Sequence, residues 1–167
     1  MRITGAQVFD LQEGFVPRDI CFDGRLLSGS SADGKTYDAS GCYVIPGLTD
    51  VHFHGCMGRD FSDAEPEGLE IMAQYELSRG VTQICPAGMT LLEEQLIKVC
   101  SVAAEHRDAG KPGAELVGIN LEGPFLSMAK KAPRPRRGYV PPPDGRLPGT
   151  GQARFHCPGG AGGHGVY

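Results

Sequence analysis

Three residues have types and spacing that could do chemistry. His52 and His54 sit one position apart in "PGLTDVHFHG", and Glu122 lies far along the chain in "LEGPF". On an extended strand, residues i and i+2 project from one face. Two imidazoles placed that way can converge on one cation, and imidazole suits Zn2+ or Fe2+. A carboxylate held at a strand tip, where Gly123 and Pro124 force a turn, can ligate the same kind of cation. Taken alone, so short a His-x-His pattern describes two ordinary hydrogen-bonded histidines better than a metal site. A lone glutamate before a turn is more often a solvated loop acid. Position changes that balance. The histidines follow the apolar run "YVIPGLTDV", and Glu122 closes the strand "ELVGIN" two strand–helix units later.

The elements that must position these residues can be read from periodicity. Residues 1–45 carry short apolar pieces separated by turn signals such as Asp23-Gly24, which predicts a small β-layer. Residues 67–79 place Leu69, Met72, Ala73 and Leu77 at helical spacing, and Gly80 ends that pattern. "VTQICPAG" is a short strand. Residues 90–110 predict a second amphipathic helix, with Thr90 as its N-cap, Leu92, Leu96, Val99, Cys100 and Ala103 on one face, and Gly110 as its stop. "AELVGINLEG" is a third strand. Strand, helix, strand, helix, strand is the order of a parallel sheet with crossover helices. In a (β/α)8 barrel the chemistry sits at the C-terminal strand ends, where His52, His54 and Glu122 fall. A whole barrel needs roughly 250 residues, so 46–131 are read as the first βα units of a partial one. Residues 1–45 are read as a β-sandwich segment.

From 132 to 167 the text changes. Sixteen of these residues are Gly or Pro, and five Arg accompany one acid, Asp144. Neither helical nor strand periodicity is visible, which predicts an irregular tail. An abrupt Gly-, Pro- and Arg-rich run is what a GC-rich gene gives when translated out of frame, and a frameshift near Lys131 is the expectation.

Composition narrows the class. The 167 residues carry a formal charge of −4 and a pI near 5.7, with 40% apolar residues. The mild acidity argues against nucleic acid and membrane surfaces as partners. The opening "MRITGAQVFD" lacks a signal-peptide pattern, and the six cysteines form no CxxC pair or dense framework. Reduced thiols in a cytoplasmic protein are the economical expectation.

"PGLTDVHFHG", "RGVTQICPAGMT" and "GINLEGPFLSMAKK" resemble successive motifs of the N-acetylglucosamine-6-phosphate deacetylases, in the amidohydrolase superfamily. "DICFDGRLLSG…DASGCYVIPG" resembles that superfamily's opening β-segment, so the likeness covers residues 1 to about 131. The resemblance implies a divalent-metal hydrolase on a (β/α)8 barrel with a small β-sandwich. Its substrate would be an amino-sugar phosphate, cleaved to acetate and glucosamine-6-phosphate, and full-length relatives would be homo-oligomers. It implies Glu122 as the glutamate metal ligand. His52 and His54 match the His-x-His, which holds a second metal or lines the site depending on the member. Two further histidine ligands and the catalytic aspartate are expected beyond residue 167, which predicts a truncated chain inactive alone. The family continues "KK-G-A-H" where this chain has "KKAPRPRRG", so Arg134 stands where a site histidine would fall. The alternatives are a dihydroorotase-like or aminoacylase-like amidohydrolase, which "LEGPF" disfavours, and a non-catalytic truncated relic, which the open edge of a part-barrel favours.

Other features are read blandly. "GAGGHG" near the C-terminus follows no strand and opens no helix, so it is no nucleotide loop. His156, Cys157 and His164 lack any ordering element. His106 is expected to face solvent. Asp60, Asp63, Glu65 and Glu67 are read as a solvated loop and helix start, with Asp63 or Ser62 as a cap. Asp50 is read as a structural or supporting neighbour of the histidines, and Cys56 as a core or loop thiol.

Overall fold

A computed structural model describes residues 1–23, 26–28 and 34–122. The expected irregular tail, the turn at Gly123-Pro124 and the His156, Cys157 and His164 group lie outside the described residues. The chain divides after Pro46 into two units.

Among its described residues the first unit has seven short strands: β1 Arg2–Thr4, β2 Gln7–Asp10, β3 Gly14–Pro17, β4 Ile20–Asp23, β5 Leu26–Ser28, β6 Thr36–Asp38 and β7 Tyr43–Val44. They form a four-stranded sheet in the order β5-β4-β1-β6 and a three-stranded sheet in the order β3-β2-β7. Val8 pairs with Val16 and Phe9 with Phe15 across the β2–β3 hairpin. Phe9, Phe15 and Tyr43 stack edge to face at 5.4 and 4.9 Å, the preferred geometry for neighbouring aromatic quadrupoles. Ala6 and Val8 are the buried apolar residues of this unit.

The second unit begins at Gly47. Its elements are β8 Leu48–Asp50, β9 Gly55–Cys56, β10 Arg59–Asp60, a 3-10 turn Phe61–Asp63, α1 Pro66–Ser78, β11 Val81–Ile84, β12 Ala87–Gly88, α2 Glu93–Asp108, β13 Glu115–Leu116 and β14 Asn120–Leu121. β8, β11 and β13 form one parallel sheet in the order β13-β11-β8, and β12 and β14 pair in parallel beyond it. Two crossover helices between parallel strands make the layout mixed α/β, and no closed barrel forms among the described residues.

Both helices pack one face into a shared core. Leu69, Met72 and Ala73 of α1 meet Val99, Cys100 and Ala103 of α2 around Ile84, Leu116, Ile119 and Phe61. Pro66 opens α1, where its missing N–H costs nothing. Each helix is followed by a positive-φ glycine, Gly80 and Gly110, the conformation that ends helices most cheaply.

Four details differ from the sequence reading. Leu77 is 46% exposed, and Glu76 takes the buried position beside Met72 and Ala73. α2 starts at Glu93, with its turn braced by Gln95, whose side-chain oxygen accepts from the Leu92 N–H at 3.3 Å. Thr90 does not cap it, and Leu92 is half exposed. Asp60, and neither Ser62 nor Asp63, caps the turn by accepting from the Ser62 N–H at 2.8 Å. His106 is buried at 8% exposure on the inner face of α2 and does not face solvent. The five described cysteines are all free. No helix among the described residues is long and apolar enough to cross a membrane.

Candidate metal centre

Strand register brings the three residues together. β8 ends at Asp50, but the chain stays bonded to its neighbour: Asp50 C=O accepts from Cys85 N–H at 2.8 Å and Phe53 C=O from Ala87 N–H at 2.7 Å. Residues 51–54 thus leave regular strand, and still run alongside the start of β12. On the far side of β12, Asn120 N–H donates to Pro86 C=O at 2.9 Å and Glu122 N–H to Gly88 C=O at 3.0 Å. The Thr90 hydroxyl donates to the Glu122 carbonyl at 2.6 Å, which is the task this residue performs in place of capping.

His52 Nε2 lies 3.1 Å and His54 Nε2 lies 3.4 Å from the same oxygen, Glu122 Oε1. The imidazole rings stand nearly perpendicular, 85° apart, with centroids separated by 5.2 Å. One ligand atom from each residue falls within 4.8 Å of the others. All three sequence-predicted site residues therefore converge. His52 is exposed, and His54 and Glu122 are partly buried, so the cluster is open to solutes.

Each histidine is held at its other nitrogen. His54 Nδ1 is 3.0 Å from the Ala87 carbonyl. A carbonyl only accepts, so Nδ1 carries a proton, and in a neutral ring Nε2 would present a lone pair. That lone pair faces the Glu122 oxygen, itself an acceptor. A positive charge between them, whether a proton on Nε2 or a bound cation, makes this contact favourable. The donor set of two imidazoles and a carboxylate fits a borderline cation. Holding the outer nitrogen on a backbone carbonyl is the usual way a metal-binding histidine is oriented.

His52 is held differently. Its Nδ1 is 3.1 Å from Asn120 Nδ2, and its backbone N–H donates to Asp50 Oδ1 at 2.9 Å. Asp50 is thus a backbone clamp for the first histidine. Asn120 was missed in the sequence, although a signal existed. It stands two residues before Glu122, and the i, i+2 rule that paired the histidines also pairs these two.

Around the centre, burial and the Asp50 carboxylate raise the pKa of Glu76 above the ordinary glutamate range. Burial, with Glu76 nearby, pushes the Cys56 thiol up. A thiol so shifted is a poor nucleophile near neutral pH, which agrees with its reading as a structural cysteine.

Fold and site define a class: parallel βα units that carry a two-histidine, one-carboxylate cluster past the C-terminal ends of their strands, preceded in sequence by a β-layer. Within that class, the chain is similar over most of its length to proteins named N-acetylglucosamine-6-phosphate deacetylase. It is 32% identical over 136 residues to the enzyme of that name from Bos taurus and 37% identical over 136 residues to that from Homo sapiens. Each match covers 80% of this chain and 30% of the relative, so the chain spans under a third of the length of these curated relatives. The crystal structure of N-acetylglucosamine-6-phosphate deacetylase from Pasteurella multocida superimposes with a TM-score of 0.71 at 22% identity. That match covers 86% of this chain and 39% of the other, and it carries the fold. No family model matches the chain.

Proposed function

We propose that this chain is the N-terminal part of a metal-dependent amide hydrolase that deacetylates an amino-sugar phosphate, with N-acetylglucosamine-6-phosphate as substrate and acetate and glucosamine-6-phosphate as products. In this reading residues 46–131 are the opening units of a (β/α)8 barrel, residues 1–45 belong to a β-sandwich, and the enzyme is cytoplasmic and homo-oligomeric. The observation that carries it is the convergence of His52, His54 and Glu122 on one point, in a chain whose relatives bear that enzyme's name.

A Zn2+ or Fe2+ ion held there would polarise the amide carbonyl and lower the pKa of its water, making hydroxide available near neutral pH. His54 contributes a lone pair fixed by the Ala87 carbonyl. Glu122 contributes a carboxylate whose backbone is tied on both sides, through its N–H to Gly88 and its C=O to Thr90. That bracing fixes the backbone from which the Glu122 side chain reaches both imidazoles. The proton-shuttling aspartate and the remaining ligands belong to the rest of the enzyme, so the 167 residues alone bind the cation and turn over poorly or not at all.

The test is to load the purified chain with Zn2+, then measure bound metal and acetate release from N-acetylglucosamine-6-phosphate. The proposal expects stoichiometric metal and negligible acetate. Rapid turnover by this chain would refute the need for further residues, and absence of bound metal would refute the site.

A further inference from the structure

We propose that Ser62 and Thr90 are positioning residues whose hydroxyls clasp the two edges of one short segment, residues 88–90, and so set the gap between the histidine pair and Glu122. The effect on cation binding rests on the metal reading above; the clasp itself does not.

β12 and the residues leading into it lie between the two halves of the site. On one edge they donate to the chain that carries the histidines, from Cys85 N–H to the Asp50 carbonyl at 2.8 Å and from Ala87 N–H to the Phe53 carbonyl at 2.7 Å. On the other edge they accept from the strand that carries the glutamate. Pro86 C=O takes Asn120 N–H at 2.9 Å, and Gly88 C=O takes Glu122 N–H at 3.0 Å. Rungs on each edge are two residues apart, as extended backbone requires. The next N–H on the histidine edge belongs to Met89. There the chain after His54 has turned away into the β9–β10 hairpin, and Ser62 Oγ takes the rung, accepting from Met89 N–H at 3.0 Å. On the glutamate edge the Glu122 carbonyl comes next, and Thr90 Oγ1 donates to it at 2.6 Å. Both ladders are thus carried one rung further by a hydroxyl.

The roles in these bonds are fixed, because a backbone N–H only donates and a carbonyl only accepts. Ser62 is itself tied to the histidines. Its turn begins at Phe61, whose N–H donates to the His54 carbonyl at 2.8 Å, and its own N–H donates to Asp60 Oδ1 at 2.8 Å. A path of bonds therefore runs from His54 through Phe61 and Ser62 to Met89, and from Thr90 to Glu122. Met89 and Thr90 are adjacent in the chain, so a shift on one edge is felt on the other. Ser62, Met89 and Thr90 are all partly buried, where a lost rung is not fully replaced by water. Without the two hydroxyls the ladder ends at Gly88, and the backbone that carries the Glu122 carboxylate is tied through its N–H alone. The approaches of 3.1 and 3.4 Å to the imidazoles then lose part of their support.

Amide hydrogen exchange and Zn2+ titration of the 167-residue chain test the clasp without and with the cation. In the empty wild-type chain Met89 N–H should exchange as slowly as Ala87 N–H. Ser62→Ala should speed exchange at Glu122 N–H as well as at Met89, and Thr90→Val, on the opposite edge, should speed it at Met89. Thr90→Ser, which keeps the hydroxyl, should exchange like wild type. Zn2+ affinity, read by competition with a chromophoric chelator, should fall about 10-fold in Ser62→Ala and in Thr90→Val, the lower end of the usual cost of losing a group that orients a ligand. It should stay near wild type in Thr90→Ser, and fall in the double variant by clearly less than the product of the two losses. Met89 exchange unaffected by Thr90→Val would overturn the proposal, as would losses of affinity that multiply in full. Fast Met89 exchange in wild type would overturn it even if every variant misfolds. Failure of the wild type to bind Zn2+ would refute the metal reading alone, and exchange would still decide the clasp.

Discussion

The hairpin that follows the histidines offers a sharp test of how the fold supports the site. Gly55 and Cys56 pair with Asp60 and Arg59 across a two-residue loop, Met57-Gly58, whose φ angles of 53° and 72° are both left-handed. A methyl group placed on Gly55 would lie 2.0 Å from the Arg59 carbonyl oxygen, 2.9 Å from Asp60 Cα and 3.0 Å from Arg59 C. All three are backbone atoms, so no side chain can swing away and the hairpin must open. Relieving the overlap costs about 1–3 kcal/mol as overpacking, and each hairpin hydrogen bond lost adds about 1 kcal/mol. Gly55→Ala should therefore destabilise the chain by about 3 kcal/mol. The damage reaches the site, because the next bond along joins Phe61 N–H to the His54 carbonyl at 2.8 Å. Gly58 is the internal control. A methyl group there meets nothing within 4 Å, so Gly58→Ala pays only for a left-handed non-glycine, about 1 kcal/mol. Thermal unfolding followed by far-UV circular dichroism should place the midpoint of Gly55→Ala about 10 °C below wild type and that of Gly58→Ala about a third as far. Titration with Zn2+ should show weakened binding in Gly55→Ala and near-normal binding in Gly58→Ala. Equal midpoints for the two variants, or full Zn2+ affinity in Gly55→Ala, would refute the claim that this close approach sets His54.

Two further predictions concern buried titratable groups. His106 is buried, and burial holds its pKa below the ordinary histidine value; Glu70 on α1 opposes that shift and Lys111, paired with Glu70 at 3.4 Å, adds to it. The unfolded chain then binds the proton more readily, so stability is complete above the ordinary value near 6.5 and falls as pH drops through it toward the lowered folded value. Denaturant midpoints measured across that range should decline more steeply for wild type than for His106→Gln, and identical slopes would contradict the assignment. Glu76 has the opposite linkage: its raised pKa means that ionising it opposes folding, a penalty absent below the ordinary glutamate value and growing as pH rises toward the folded one. Glu76→Gln should stabilise the chain by about 1 kcal/mol at neutral pH, readable as a higher denaturant midpoint, and an unchanged midpoint would count against it.

The legible part of this fold was the part written in periodicity. Leu69, Met72 and Ala73, and then Leu96, Val99, Cys100 and Ala103, recur at helical spacing, and all seven are buried. Glycine after each helix and apolar runs between them marked the alternation of strands and helices. What misled was the assumption that polar residues face out. Glu76 continues the 69, 72, 73 stripe by position, as His106 continues the 96, 99, 103 stripe, and both are buried. Spacing located the core face correctly, and residue chemistry argued against it. Thr90 failed as a cap because its hydroxyl is taken by Glu122, a partner 32 positions away that no local rule could supply. The convergence of His52, His54 and Glu122 was legible because each closes a strand or its extension, and these strands run parallel side by side. Its holding contacts depended on register: Ala87 reaches His54 and Asn120 reaches His52 only once β12 and β14 are aligned.

The central claim is that His52, His54 and Glu122 together hold one divalent cation. Isothermal titration of Zn2+ into the 167-residue chain, compared with His54→Ala and Glu122→Gln, tests it most directly. The account predicts one equivalent in wild type that disappears in both variants. Unchanged binding in either variant, or none in wild type, would contradict it.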